Sequence, residues 1–187
     1  PMQNNYLTRN AVTVSASNSA FAASADFICD GTNDQVEINA AIAALNQGST
    51  GIKGTVYLYA GDYFLSDKIF LKSSIDIIGM NKYDTRLQAG FNGAPVFITV
   101  NNSFQDTVVQ FSRLSNFTIQ RNYSEEIETY SPPYAIYGWF DHCVFEKLRL
   151  DGFSQAGISL NPDNNEGLYG YVNIVQECEI TNNPVGI

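Results

Sequence analysis

The longest polar interruption in this sequence carries its densest group of reactive side chains. Between Asn122 and Tyr134 stand Tyr123, Glu125, Glu126, Glu128, Tyr130 and Tyr134. Aromatic rings stack on the apolar faces of sugars, and glutamates give or take protons. A glycan-binding loop and a merely solvated loop both fit this composition. Hydrolysis of a glycosidic bond would need two carboxyl groups, about 5 to 9.5 Å apart according to the stereochemical outcome. Asp151 follows a short apolar run and would face Asp141 or a loop glutamate if neighbouring stretches stack, although Asp151-Gly152 reads equally as a turn. Downstream, Asn161-Pro162-Asp163-Asn164-Asn165-Glu166-Gly167 offers Asp163, Asn165 and Glu166 as hard oxygen ligands of the kind that suit calcium. Its order departs from an EF-hand, with Glu166 where the glycine belongs, and Asn and Asp are also ordinary turn residues.

Such groups act only if the chain around them holds them still. Ile38, Ala41, Ile42 and Leu45 fall at i, i+3, i+4 and i+7, which predicts a helix over 34–46 with one apolar stripe to bury. Thr32 with Gln35, or Asp34 with Glu37, would form a capping box, and Gly48 would end the helix. Beyond it, Thr55–Tyr59, Tyr63–Leu65, Lys68–Leu71 and Ser74–Ile78 are short β-branched and aromatic runs cut by Gly, Asp and Ser. Those are strand signals, and the connections are too short for helices.

The runs recur. Phe117-Thr118-Ile119, Leu148-Arg149-Leu150 and Cys178-Glu179-Ile180 stand 31 and 30 residues apart, each followed by a turn. A second series, Ala135-Ile136-Tyr137, Ala156-Gly157-Ile158 and Val185-Gly186-Ile187, is spaced 21 and 29. Repetition at this period argues for coils stacked along an axis, each burying its inner side chains on the next. The predicted helix would roof the first coil, where an uncovered strand edge invites aggregation. Residues 1–24 read as an N-terminal arm or linker with room for one short strand, and 25–187 as one domain. The far end, Asn183-Pro184-Val185-Gly186-Ile187, stops inside an apparent coil, so either a longer protein continues it or an oligomer or downstream domain shields it.

Ala25-Asp26-Phe27-Ile28-Cys29-Asp30-Gly31-Thr32-Asn33-Asp34-Gln35, then a helix, then Gly54-Thr55-Val56-Tyr57-Leu58-Tyr59-Ala60-Gly61-Asp62-Tyr63 and a strand ending Ile77-Ile78-Gly79, resembles the N-terminal part of the pectate-lyase-like proteins. That group includes polysaccharide lyases, alginate-epimerase-like enzymes, polygalacturonase-like hydrolases and phage tail spikes. The resemblance implies an all-β fold, a right-handed single-stranded parallel β-helix with an N-terminal helical cap. Tyr137-Gly138-Trp139-Phe140-Asp141-His142 is similar to the Tyr-Gly-Phe-Asp-Pro-His stretch of the epimerase-like enzymes. The Tyr-to-His spacing matches, the proline is missing and the aspartate stands one position later. By that likeness Tyr137, Asp141 and His142 would attend proton abstraction and return at a sugar carbon, with Trp139 among the sugar-binding aromatics. Against it, a histidine that opens an inward strand, Cys143-Val144-Phe145, reads as a structural residue.

Composition narrows the partners. The net charge of −9 opposes nucleic-acid phosphates, and no apolar run is long enough to span a membrane as a helix. Cys29, Cys143 and Cys178 cannot all pair within one chain and read as buried free thiols. The resemblance thus implies a module that recognises a polysaccharide or cell-surface glycan, extracellular or on a virion tail, and cleaves it as a lyase or hydrolase, with C5-epimerisation less favoured. The alternative is a non-catalytic structural or adhesive module, trimeric or shielded by downstream domains.

Overall fold

Alternating apolar and polar residues send successive side chains to opposite faces of a strand, and stacking the apolar faces gives this chain its core. The computed structural model describes residues 10–45, 54–99, 108–122, 132–160 and 172–184. After β1 (Ala11–Ser15), a 3-10 turn and β2 (Phe27–Ile28) comes an α-helix, α1 (Gln35–Leu45), the only one among the described residues. Three rounds follow: β3 (Gly54–Leu58), β4 (Gly61–Leu65), β5 (Ile69–Phe70); β6 (Ile75–Gly79), β7 (Thr85–Ala89), β8 (Phe97–Ile98), β9 (Val108–Gln110); β10 (Arg113–Ser115), β11 (Thr118–Arg121), β12 (Tyr134–Asp141). The last two are β13 (Val144–Glu146), β14 (Arg149–Asp151), β15 (Ala156–Leu160), then β16 (Ile174–Gln176) and β17 (Glu179–Thr181). The protein is therefore mostly β.

The rounds build three parallel sheets. The first runs β16-β13-β10-β6-β3-β1-β2, the second β17-β14-β11-β7-β4 and the third β15-β12-β8-β5. Each round visits first, second and third sheet in turn, so a strand's neighbour lies one round away. The inner rows follow from the register: Val12, Val56, Ile77, Leu114 and Phe145 in the first sheet, Tyr63, Leu87, Ile119 and Leu150 in the second, Ile69, Phe97, Ile136 and Ile158 in the third. All are essentially inaccessible to solvent.

The first repeat series stacks in phase, Thr118 on Arg149 on Glu179. The second differs by one residue from its predicted alignment: Ile136 pairs with Ile158, not with Gly157. A one-residue slip would turn every side chain to the wrong face, and it is Ile158 that must reach the core. Val185–Ile187 lie outside the described residues. The strand allowed within 1–24 is β1; Val12, Val14 and Ala16 sit in the common core, and β1 pairs with both β2 and β3.

Helix α1 packs against β1 to β5 and buries Ile38, Ala41 and Ile42, with Leu45 against the same cluster. Its start differs from the predicted capping box. Asp34 spends its carboxylate on the backbone N–H of Gly31 (2.9 Å) and of Phe64 (2.8 Å). Gln35 takes the N–H of Ser66 (3.0 Å), and Asn39 takes that of Phe70 (2.9 Å) while donating to Lys68 O (3.2 Å). Phe64 lies in β4 and Phe70 in β5, the outermost described strands of the second and third sheets, and Ser66 and Lys68 lie in the turn between them. Polar side chains of the helix supply the missing ladder, because a buried unpaired N–H is costly.

Candidate functional site

Of the six expected site residues that are described, one strand carries four, Tyr134, Tyr137, Trp139 and Asp141. Along β12, Ile136, Gly138 and Phe140 are buried, whereas Tyr137, Trp139 and Asp141 are half-buried on the opposite face. The Tyr134 ring leans on that of Tyr137, with centroids 4.8 Å apart, and its hydroxyl donates to Gln155 Oε1. β12 is long because it spans two short strands of the preceding round: Ile136 and Tyr137 pair with β8, Trp139 to Asp141 with β9. Gly138 stands at the joint with φ +148°, and a Cβ there would come within 2.1 Å of Thr99 Oγ1. Thr99 in turn accepts the Trp139 N–H at 3.1 Å. Only a glycine lets the strand cross this gap and keep Tyr137 and Trp139 on one face.

At the end of β12 the aspartate and the histidine meet. His142 Nδ1 lies 2.6 Å from Asp141 Oδ1, and Gln110 Nε2 donates to Asp141 Oδ2 at 3.0 Å. The Phe111 N–H donates to Asp141 O at 3.1 Å, and the Phe111 ring stacks on the imidazole at 5.3 Å and 28°. His142 turns the corner between the third and first sheets with φ +53° and does not point inward; Cys143, next along, is the buried residue. An imidazole whose Nδ1 is engaged by a carboxylate has its Nε2 left to exchange protons. Among the described residues, Nε2 has no partner.

Asp151 lies elsewhere. It ends β14 in the second sheet, only 7% exposed, and its Oδ1 accepts from Thr181 Oγ1 (3.0 Å) and Asn182 Nδ2 (2.6 Å). Its register partners are Gln120 and Thr181, while Asp141 pairs with Gln110. Only residues about a full round apart stack, and the ten positions between the two aspartates carry the chain onto a different sheet. The register therefore does not set Asp141 and Asp151 opposite each other. Tyr123, Glu125, Glu126, Glu128 and Tyr130, and the calcium candidates Asp163, Asn165 and Glu166, lie outside the described residues.

Gln110 and Phe111 are absent from the sequence reading. The signal was there: Phe111 precedes His142 by 31 residues, the spacing of Phe117 and Leu148.

A second cluster forms under α1. Single ligand atoms of Cys29, Asp34 and Glu37 lie within 4.8 Å of one another. Burial raises the pKa of the Cys29 thiol far above its ordinary value, and burial likewise raises the carboxyls of Asp34 and Glu37. Both Asp34 oxygens are occupied by backbone donors, the N–H groups of Gly31 and Phe64. This cluster secures the chain. The three thiols are free; Cys29 and Cys143 are buried as expected, but Cys178, in the last described round, is partly exposed.

No helix among the described residues is long and apolar enough to cross a membrane. None of the curated proteins matches the chain significantly. Among solved structures it is similar to ORF18 of Geobacillus virus E2, with 21% identity and a TM-score of 0.54 over 79% of this chain. The chain spans 27% of that viral chain, and at this identity the likeness concerns the fold. A family model described as rhamnogalacturonase A/epimerase, pectate lyase-like matches residues 4–187, nearly the whole length, and so the chain belongs to that pectate lyase-like family.

Proposed function

We propose that this chain is a carbohydrate-recognising module of a virion-tail or extracellular protein, built as a single right-handed parallel β-helix with α1 capping its first round. A polysaccharide lies on the outer face of the third sheet, against Tyr134, Tyr137 and Trp139. The observation that carries this reading is the outward row of aromatic rings on β12 ending in a carboxylate–imidazole pair. Family membership and the fold shared with a phage protein support it.

The chemistry that suits such a pair is elimination. Nε2 of His142 takes the proton from the sugar carbon next to a carboxyl group, the glycosidic C–O bond one carbon further breaks, a C=C bond forms, and the leaving oxygen gains a proton. Hydrolysis would need two carboxyl groups about 5 to 9.5 Å apart, and the register does not pair Asp141 with Asp151. The test is a panel of uronate-containing and neutral polysaccharides incubated with the whole chain. Trp139→Ala should lose binding by about tenfold, as expected for about 1–2 kcal/mol from a stacked aromatic. His142→Ala should keep binding and lose the release of unsaturated ends. Binding undiminished in Trp139→Ala would overturn the placement on β12.

A further inference from the structure

The corner that joins the third sheet to the first turns in left-handed backbone in successive rounds, at Ser74 (φ +60°) as well as at the two residues that follow it there. Phe111 and His142, one round apart, both hold left-handed backbone, with φ +57° and +53°. Such a conformation costs an L-residue about 1–2 kcal/mol, and glycine or asparagine would turn the chain with less strain. Both side chains are also about half exposed, Phe111 at 54% and the His142 side chain at 53%. Ring stacking returns about 0.5–1.5 kcal/mol, which leaves no stability reason to prefer two aromatic rings here. The left-handed turn itself belongs to the fold, since Lys147 and Glu177 repeat it one round apart at the corner between the first and second sheets; what sets this corner apart is a pair of stacked rings beside a carboxylate.

We propose that Gln110 and Phe111 are positioning residues that hold the Asp141–His142 pair in one proton-transfer geometry. This rests on the glycan reading given above and extends it to residues of the preceding round. Each oxygen of Asp141 has its own partner: His142 Nδ1 on Oδ1 at 2.6 Å, Gln110 Nε2 on Oδ2 at 3.0 Å. The carboxylate therefore cannot rotate away without losing a bond. Phe111 closes the other two freedoms. Its backbone N–H fixes the Asp141 carbonyl at 3.1 Å, and its ring lies over the imidazole plane. Gln110 is itself anchored, its N–H donating to Ser73 Oγ at 3.0 Å. The result is an imidazole with its proton on Nδ1 and a bare Nε2 facing the saccharide. During reaction Nε2 accepts the substrate proton, Asp141 stabilises the imidazolium, and the same proton returns to the leaving oxygen.

His142 is the sole histidine of the chain, so its imidazole nitrogens can be observed directly by ¹⁵N NMR in the whole protein. The neutral ring should be predominantly the Nδ1–H tautomer, since the hydrogen bond at one nitrogen sets which is protonated. Phe111→Ala and Gln110→Ala should each shift the ring toward the Nε2–H form, with the urea midpoint lowered by no more than the lost stack or hydrogen bond accounts for, and Phe111→Tyr should restore the wild-type spectrum. On a polysaccharide that the wild type cleaves, Phe111→Ala should lower kcat by about tenfold to a hundredfold with little change in KM. A wild-type ring in the Nε2–H form, or one unaffected by both alanine variants, would overturn the proposal. If no glycan binds yet the tautomer responds as described, the positioning stands and the glycan reading falls. If glycans bind and the tautomer is indifferent, the reverse holds.

Discussion

Two carboxylates in this protein, Asp34 under the helix and Asp141 at the end of β12, sit beside a potentially reactive side chain and are put to opposite uses. Asp34 is wholly inaccessible, beside Cys29, and both its oxygens bind backbone N–H groups 33 residues apart in sequence, those of Gly31 and Phe64. Asp141 is partly exposed, and both its oxygens face side chains, those of His142 and Gln110. A carboxylate spent on backbone donors ties segments together and has nothing left to give. One spent on a titratable, solvent-facing imidazole can pass its influence to a ligand. Proximity to a reactive group is therefore a poorer guide to chemistry than what the oxygens are bonded to.

The contrast predicts opposite responses to substitution. Asp34→Ala strands two partly buried N–H groups and should cost about 2 kcal/mol or more, read as a lowered urea midpoint; a loss below about 1 kcal/mol would mean that water replaces the carboxylate and the network is not structural. His142→Gly should change stability by less than about 1 kcal/mol, since relief of the left-handed strain offsets the added chain entropy. A large loss there would make the corner a structural element and erase the distinction.

Smaller effects should appear in the pH dependence, with opposite signs. Burial raises the folded-state pKa of Glu37, whose Oε2 is buried without a partner. Its favourable contribution is complete below the unfolded carboxyl value and fades as pH rises through the raised one. Glu37→Gln should accordingly be more stable than wild type at neutral pH and converge with it in acid. Asp62 behaves oppositely. The bidentate hydrogen bonds from Arg86 hold its carboxyl below the usual range, so its stabilisation is present above the unfolded value and is lost as pH falls through the lowered one. Asp62→Asn should cost about 0.5 kcal/mol at neutral pH and nothing in strong acid, measured by thermal melts from pH 3 to 8.

The site was partly legible before any coordinates. The Tyr137 to His142 stretch drew attention through its residue types, and the structure puts Tyr137, Trp139 and Asp141 on one face of β12 with His142 at the corner that follows it. The sequence reading set Asp151 opposite Asp141 or a loop glutamate because neighbouring coils stack, but the ten-residue step between the two aspartates is only a fraction of a round and ends on a different sheet. It overlooked Phe111, although the 31-residue step from Phe111 to His142 was in plain view.

The amino-acid order alone determined the short strands, the helix with Ile38, Ala41 and Ile42 inward, and the period on which strands pile up, since each follows from local alternation and from repetition. Tertiary structure decided the rest: that Ile158 and not Gly157 lies on Ile136, that β1 joins the first sheet, and that Asp34, Gln35 and Asn39 serve as the missing edge of two sheets. Those outcomes depend on which residues from different rounds become neighbours, and a neighbour in space one round away leaves almost no trace in the residues on either side of it in the chain.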